Sequence, residues 1–130
     1  MTDHELISLA LGAREKAYAP YSYFRVGAAL LCVDGSVYTG CNIENASYPC
    51  GLCAERAAAA QAISAGKRAF SALAVAGSGE EVCTPCGLCR QFLYEVAPEL
   101  RVLCANRTGV FEEHTLQDLL RAGFGGRSME

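Results

Sequence analysis

The tetrapeptide Cys-Gly-Leu-Cys occurs twice in this 130-residue chain, at residues 50–53 and 86–89. Two cysteines separated by two residues can present both thiolates to one metal ion, and thiolate ligands favour zinc. The sequence therefore predicts a zinc centre built from some or all of Cys50, Cys53, Cys86 and Cys89. A closed site of four cysteines leaves no position for water, whereas three protein ligands leave one open.

The sequence around the cysteines favours three ligands. Cys53 and Cys86 each begin a segment with helical character, and 32 residues separate them, more than the roughly 15–20 that are typical of paired zinc knuckles. Cys86 and Cys89 would lie one helical turn apart on one face, with Leu93 continuing that face inward. Because right-handed crossovers bring both helix starts to one edge of a sheet, Cys53, Cys86 and Cys89 are expected to bind one zinc ion per chain.

Two other interpretations of the cysteines are weighed against this one. With Cys50 as fourth ligand the site would be structural, and the protein would be an interaction module rather than an enzyme. A thioredoxin-like redox pair is less favoured, because neither tetrapeptide lies in a thioredoxin-like βαβ context. On the three-ligand interpretation, Cys50 and Cys83 are expected to be free thiols.

Glu55 distinguishes a catalytic centre from a structural one. Taken alone, a glutamate in a first helical turn is about as often a mere partner of the helix dipole as a functional residue. Two residues after a metal ligand, however, a carboxylate can move protons for a zinc-activated water. The pattern Cys-x-Glu followed by Pro-Cys-x-x-Cys is the signature of zinc deaminases, in which the glutamate is a general acid and base and not a ligand. Glu55 is therefore the predicted catalytic residue.

Arg56 is the candidate for charge compensation at the metal. Zn²⁺ with three thiolates carries a net charge of about −1, which opposes the ionisation of bound water. Two helix N-termini offset part of that charge, and Arg56 is the nearest cation in sequence to Cys53. The alternative is an arginine solvated on the helix surface.

Composition and charge limit the partners. The net charge is −3 and the largest basic cluster is Lys67-Arg68, so the chain has no extended basic surface that could bind along a phosphate backbone. A small uncharged substrate is therefore expected, and a nucleic acid is not.

No run of about 18 apolar residues predicts a membrane span. The acidic N-terminal segment does not resemble a signal peptide, so we expect reduced thiols and a cytoplasmic protein that forms a single domain over residues 1–130.

The elements that position these residues follow from periodicity and turn signals. A helix capped by Thr2 and Glu5 is predicted to run until Pro20, and Asp34-Gly35 predicts a hairpin between strands at 24–33 and 36–40. The remaining predicted elements are a helix from Cys53 to Ala65, a buried strand at 70–77, a helix from about Cys86 to before Pro98, strands at 101–105 and 110–114, and a helix from Thr115 to Gly123. This order predicts a mixed sheet with helices on its faces. The sequence "GSGE" at 77–80 is interpreted as a plain turn, because no Gly-Lys follows it.

Several stretches resemble one enzyme family in order and spacing. The sequences "AYAPYSYFRVGAAL", "GCNIENASYP", "CAER" and "TPCGLCRQ" are similar to the small, homotetrameric class of cytidine deaminase, over Ala17 to Leu120. The resemblance implies a three-layer α/β/α fold with a mixed five-stranded sheet, and zinc on Cys53, Cys86 and Cys89. The implied reaction is the hydrolytic deamination of cytidine and 2'-deoxycytidine to the uridines, in pyrimidine salvage, with Glu55 moving protons to N3 and to the departing amine.

The resemblance also implies how the substrate is held. Phe24 would stack on the pyrimidine, and Asn42 and Glu44 would bind the ribose hydroxyls. These roles agree with the chemistry, because an aromatic face suits a base and an amide and a carboxylate suit sugar hydroxyls. Read without the family, Phe24 is a candidate core residue and the other two form a polar turn. A deaminase of a modified cytosine nucleoside such as blasticidin S is the alternative enzyme, but Asn42 and Glu44 match the plain nucleoside pattern.

The family shares each active site between subunits of a homotetramer. Tyr48 would lie near an interface, and Phe124 would cover a neighbour's pocket. One departure from the pattern is Arg121, where family members commonly carry proline. His4 and His114 lie outside every matched motif and are expected at the surface.

Overall fold

One mixed sheet of five strands forms the centre of the protein. The computed structural model describes residues 1–129, apart from the side chains at positions 127 and 128. The strands are β1 (Gly27–Cys32), β2 (Val37–Cys41), β3 (Phe70–Ala76), β4 (Arg101–Ala105) and β5 (Phe111–Thr115). They lie in the order β2-β1-β3-β4-β5, in which β3 and β4 are parallel and the other neighbours are antiparallel.

Helices cover both faces of the sheet. They are α1 (Asp3–Ala13), α2 (Ala54–Ser64), α3 (Gly87–Val96) and the short α4 (Leu116–Leu119). Alternate residues of the strands bury one apolar cluster against α1 and a second, larger one against α2 and α3. The predicted three-layer α/β/α fold with a mixed five-stranded sheet is thus confirmed. None of the helices over residues 1–129 has the length and apolar character needed to cross a membrane.

Helix α2 packs unusually close to the sheet. The face that it buries consists of Ala54, Ala58, Ala59 and Ala62 next to Glu55. A Cβ added at Gly40 of β2 would lie 2.5 Å from the Ala58 nitrogen and 2.7 Å from the Ala54 oxygen. Glycine at position 40 is therefore required for this packing. The packing in turn holds the first turn of α2 in place against the sheet.

The first helix is shorter than predicted. It is capped by the Thr2 hydroxyl, which accepts a hydrogen bond from the Glu5 nitrogen, but it ends at Ala13 and tightens into a 3₁₀ turn over Arg14–Lys16. The prediction that it continues to Pro20 was wrong, because Tyr18 bonds through its backbone to Asn42 and Glu44 instead. A distant backbone pairing outweighs the local helix propensity of this segment.

Two other predicted bounds also differ. Strand β1 begins at Gly27 rather than at residue 24, since Phe24 and Arg25 bond to the side chains of Asn42 and Ser78, and Val26 bonds to both the side chain and the backbone of Asn42. Helix α4, capped by the Thr115 hydroxyl as predicted, ends at Leu119 rather than at Gly123. The chain leaves the helical conformation at Leu120, and Ala122 has a positive φ of 54°.

Candidate active site and metal centre

Three cysteine sulfurs converge where α2 and α3 begin. Cys53 is the N-cap of α2, Cys86 is the N-cap of α3, and Cys89 lies in the first turn of α3. The Sγ atoms of Cys53 and Cys86 are 3.9 Å apart and those of Cys86 and Cys89 are 3.5 Å apart, with all three within 4.8 Å of one another. Tetrahedral zinc with Zn–S bonds of about 2.3 Å places its sulfurs about 3.8 Å apart, so the three cysteines fit this ion.

Cys50 and Cys83 lie apart from this group. Within residues 1–129, the cluster of ligand atoms that can share one ion consists of Cys53, Cys86 and Cys89. Cys50 is exposed in a 3₁₀ turn over Tyr48–Cys50. Cys83 is half-buried against the core, where burial raises the pKa of its thiol to about 11. The arrangement favours an open three-ligand centre over a closed four-cysteine one.

The three sulfurs differ in their electrostatic environment. A hydrogen bond from Cys89 lowers the pKa of the Cys53 thiol to about 5, and the neighbouring Arg56 acts in the same direction. The pKa of Cys89 is raised in turn, because it donates that hydrogen bond and is buried. The Cys53 thiol is therefore more readily ionised than that of Cys89, at a helix N-terminus that favours negative charge.

Arg56 is partly exposed, and its guanidinium faces the sulfurs. Its Nη2 lies 3.8 Å from the Cys53 Sγ and 3.5 Å from the Gly51 carbonyl oxygen. Burial alone would lower the pKa of Arg56, but hydrogen bonds to Cys53 and Cys89 outweigh burial and raise it. Its Nε is buried and has no hydrogen-bond partner among the described residues. The guanidinium therefore supplies positive charge where the thiolates concentrate negative charge.

Glu55 is the one charged residue among the buried ones described. It is 4% exposed, in the first turn of α2 between Ala54 and Arg56. Burial raises the pKa of its carboxyl to about 7, with a smaller contribution in the same direction from the charge on Cys53. A carboxyl with this pKa can both accept and donate a proton near neutral pH, which is what general acid and base catalysis requires.

Asn42 and Glu44 hold the loop that carries Phe24. The Asn42 Nδ2 donates to the Phe24 carbonyl oxygen (2.8 Å), and its Oδ1 accepts from the Val26 nitrogen (2.9 Å). The Glu44 carboxylate accepts from the Tyr21 nitrogen at 2.9 Å and from both the nitrogen and the hydroxyl of Ser22. These bonds, led by that of the Ser22 hydroxyl, lower the pKa of Glu44.

The bonds to the loop leave both side chains able to bind a ligand. An amide has two N–H donors and a carbonyl oxygen with two lone pairs, and a carboxylate has about four acceptor positions. Sequence reasoning did not identify Ser22 as a partner of Glu44, since a single serine in a loop carries no distinguishing signal.

A cleft of about 510 Å³ adjoins the cysteine cluster. Its lining includes Asn42, Glu44, Tyr48, Cys53 and Arg56, with Tyr21, Ser22, Ile43, Asn45, Gly51 and Leu52 completing the wall. Five of the residues predicted from sequence are thus brought together around one open space. A volume of this size accommodates a small organic ligand.

The predicted aromatic residues lie outside or at the rim of this cleft. Phe24 is 43% exposed and does not line it, so its ring is not a core residue. Tyr48 is in the lining but 80% exposed. Phe124 is 56% exposed, and its carbonyl accepts a hydrogen bond from the Gln91 Nε2, which holds that part of the chain beside α3 and away from the cleft.

The remaining residues singled out from sequence lie at the surface. Arg121 and His4 are exposed, and the His4 ring makes an edge contact with Phe111. His114 is partly exposed, with its Nε2 3.3 Å from a Glu112 carboxylate oxygen. Neither histidine is near the cysteine cluster.

Comparisons with known proteins give one consistent result. The family model described as the cytidine and deoxycytidylate deaminase zinc-binding region matches residues 1–105. Cytidine deaminases of Sporosarcina psychrophila and Halalkalibacterium halodurans are each 47% identical to this chain over 125 residues, which are 95% of this chain and 92% and 95% of the relatives. The crystal structure of cytidine deaminase from Burkholderia pseudomallei has a TM-score of 0.92 and 50% identity, covering 95% of this chain and 100% of that one. The enzyme from Mycobacterium tuberculosis has a TM-score of 0.83 and 42% identity, covering 96% and 99%.

Proposed function

This chain belongs to the family of cytidine and deoxycytidylate deaminases, and we propose that it hydrolyses cytidine and 2'-deoxycytidine to uridine and 2'-deoxyuridine with release of ammonia. The observation that carries the proposal is the buried Glu55 carboxyl beside a cluster of three cysteine sulfurs that fits zinc. The family membership, which the sequence resemblance predicted, is confirmed by the comparisons.

Cys53, Cys86 and Cys89 would hold the zinc ion. When bound, zinc lowers the pKa of water and so makes a nucleophile available at neutral pH. The three sulfurs leave the fourth direction to water or substrate, which a fourth cysteine ligand would close. Arg56 offsets the negative charge that three thiolates bring to the centre.

Glu55 would handle the protons of the reaction. Its carboxylate accepts a proton from the attacking water and donates it to N3 of the pyrimidine. It then accepts the remaining proton of the new hydroxyl group at C4, which becomes the carbonyl of uridine, and donates that proton to the amine as it departs. In the balance of the reaction, a C4–O bond forms, the C4–N bond breaks, and the amino group leaves as ammonia. A pKa of about 7 keeps both forms of Glu55 populated near neutral pH, which supports its use in both directions.

Phe24, Asn42 and Glu44 would bind the nucleoside. An aromatic ring offers a face to the pyrimidine, while the amide and the carboxylate suit ribose hydroxyls. Support for the ribose site comes from the cleft, which Asn42 and Glu44 line together with the metal ligand Cys53. The net charge of −3 favours a free nucleoside over a polynucleotide.

We further propose a cytoplasmic homotetramer of single-domain chains, acting in pyrimidine salvage, in which subunits share active sites. Support for sharing comes from Tyr48 and Phe124, two aromatic side chains that are more than half exposed in the isolated chain. Large exposed aromatic residues are typical of contacts between subunits. Phe124 would then cover a neighbour's cleft, since it does not line its own.

The proposed reaction is tested by following the ultraviolet absorbance of cytidine, 2'-deoxycytidine and blasticidin S with the zinc-loaded protein. Cytidine should be converted to uridine and 2'-deoxycytidine to 2'-deoxyuridine. The matched control is Glu55→Gln, which preserves size and zinc content but removes the base, so turnover should fall by at least about 100-fold. Conversion of blasticidin S alone would support the alternative enzyme. The proposal would be overturned if protein that carries one zinc per chain converts none of the three nucleosides.

A further inference from the structure

The ring of Phe24 lies against the turn that follows β3. A Cβ added at Gly77 would be 3.0 and 3.1 Å from two carbons of the Phe24 ring and 3.2 Å from the Cys83 Cβ. The backbone at Gly77 does not have a positive φ, so glycine is not required there for its conformation. The space that a side chain would occupy is taken by Phe24.

The next residue, Ser78, holds the peptide that follows Phe24. Its hydroxyl donates to the Arg25 carbonyl oxygen (2.7 Å) and accepts from the Arg25 nitrogen (3.2 Å). From the other side, Asn42 bonds the Phe24 oxygen and the Val26 nitrogen. Residues 24–26 are thus fixed by one backbone bond, from the Asn42 nitrogen to the Val26 carbonyl oxygen (3.1 Å), and by several side-chain bonds, two of which Ser78 provides.

The turn itself is anchored. The Arg14 Nη1 donates to the Gly77 carbonyl oxygen (2.8 Å), and the Arg107 nitrogen donates to the Gly79 carbonyl oxygen (3.0 Å). These bonds connect the turn to the end of α1 and to the segment after β4. Because the turn is held at both ends, it can restrict the movement of an aromatic ring that packs against it.

We propose that Gly77 and Ser78, here called the Phe24 seat, are positioning residues that hold the Phe24 ring where a pyrimidine can stack on it. The inference rests on the proposed function for the identity of the ligand, and it gives a role to a "GSG" segment that the sequence interpretation treated as a plain turn. Stacking contacts bind the ground state and the transition state about equally, so loss of the seat should raise KM and leave kcat nearly unchanged.

Fluorine NMR tests the position of the ring without relying on activity. The zinc-loaded protein is labelled with 4-fluorophenylalanine at its five phenylalanines, and Phe24→Leu assigns the Phe24 resonance. Ser78→Ala and Gly77→Ala should shift or broaden that resonance. Gly79→Ala provides the comparison, because a Cβ there would be 3.4 Å from the ring, an ordinary contact distance. Ser36→Ala, which loses a serine hydroxyl bond in the β1–β2 turn, is the control.

Kinetics then test the functional role. Ser78→Ala should raise KM for cytidine by about three- to tenfold with kcat within about twofold, and it should add no further increase in the Phe24→Leu background. An unmoved Phe24 resonance in Ser78→Ala, or an effect on KM that persists in full without the Phe24 ring, overturns the inference. If the wild-type protein deaminates no cytosine nucleoside, the proposed function fails, and the resonance alone decides whether the seat positions Phe24.

Discussion

The Nη2 of Arg56 lies 3.8 Å from the sulfur of Cys53, the residue that caps the helix to which Arg56 belongs. One short segment therefore carries a cysteine of the cluster that fits zinc, a buried carboxyl and a cation beside the sulfur. Because the cation favours the ionised sulfur, its removal should weaken zinc binding rather than unfold the chain.

Arg56→Gln should lower zinc affinity by about tenfold, measured by transfer of zinc to a chelator at fixed pH. The matched control is Arg68→Gln, which removes the same charge just beyond the other end of α2, where the guanidinium bonds the carbonyls of Ile63 and Lys67. Equal affinities for the two variants would show that the helix N-termini alone offset the thiolate charge.

Cys53→Ser should reduce the zinc content from about one ion per chain to near zero, whereas Cys50→Ser should retain the ion. The reason is position, since the Cys53 sulfur lies 3.9 Å from that of Cys86 and Cys50 is exposed outside the cluster. Zinc is measured by atomic emission after gel filtration. Loss of zinc from Cys50→Ser would favour the closed four-cysteine site.

The Cys83 thiol should react slowly with a disulfide reagent, and its rate should rise with pH. Burial raises its pKa to about 11, so at pH 8 only a small fraction is thiolate. Below that pKa the fraction rises about tenfold for each pH unit, which predicts a rate about 100-fold higher at pH 10 than at pH 8. The phase is assigned by its absence in Cys83→Ala, while exposed Cys50 provides a fast phase that Cys50→Ser removes. A Cys83 rate that matches that of Cys50 at pH 8 would contradict the burial argument.

Mixing two impaired variants should restore activity if the protein is a tetramer whose subunits share active sites. On the proposed function, Glu55→Gln lacks the proton carrier and Phe124→Ala lacks the aromatic residue that covers a neighbour's cleft, so each variant should be impaired on its own. A mixed tetramer would contain sites that combine Glu55 from one chain with Phe124 from another. The two proteins are dissociated, mixed and reassembled, with light scattering to establish the tetramer. A mixture no more active than the average of its parents, or a fully active monomer, would refute the shared site.

Elements with strong local signals were predicted to within about one residue. Helix α2 follows an alanine-rich run that ends at Gly66, and β3 and β4 follow short continuous apolar runs. The closeness of Cys86 and Cys89 was accessible for the same reason, because their spacing at the start of a helix places them one turn apart.

Features that depend on distant residues were not predictable. The end of α1 is decided by backbone bonds from Tyr18 to Asn42 and Glu44, and the loop around Phe24 is fixed by Asn42 and Ser78, some 18 and 54 positions away. No local pattern distinguishes these partners from ordinary polar residues. The place of Arg56 beside sulfur, by contrast, was predicted from sequence, because Cys53 is only three positions earlier, and its Nη2 lies 3.8 Å from that sulfur.

The contact between Gly40 and the backbone of α2 affects which inherited variants the protein can tolerate. Any side chain at position 40 would meet main-chain atoms of Ala54 and Ala58, which cannot move aside as a flexible side chain would. Such a variant would lift the start of α2 and carry Cys53 away from Cys86, and zinc coordination accepts only about 0.2 Å of misplacement. Loss-of-function alleles should therefore arise at a residue that lies outside both the cysteine cluster and the cleft.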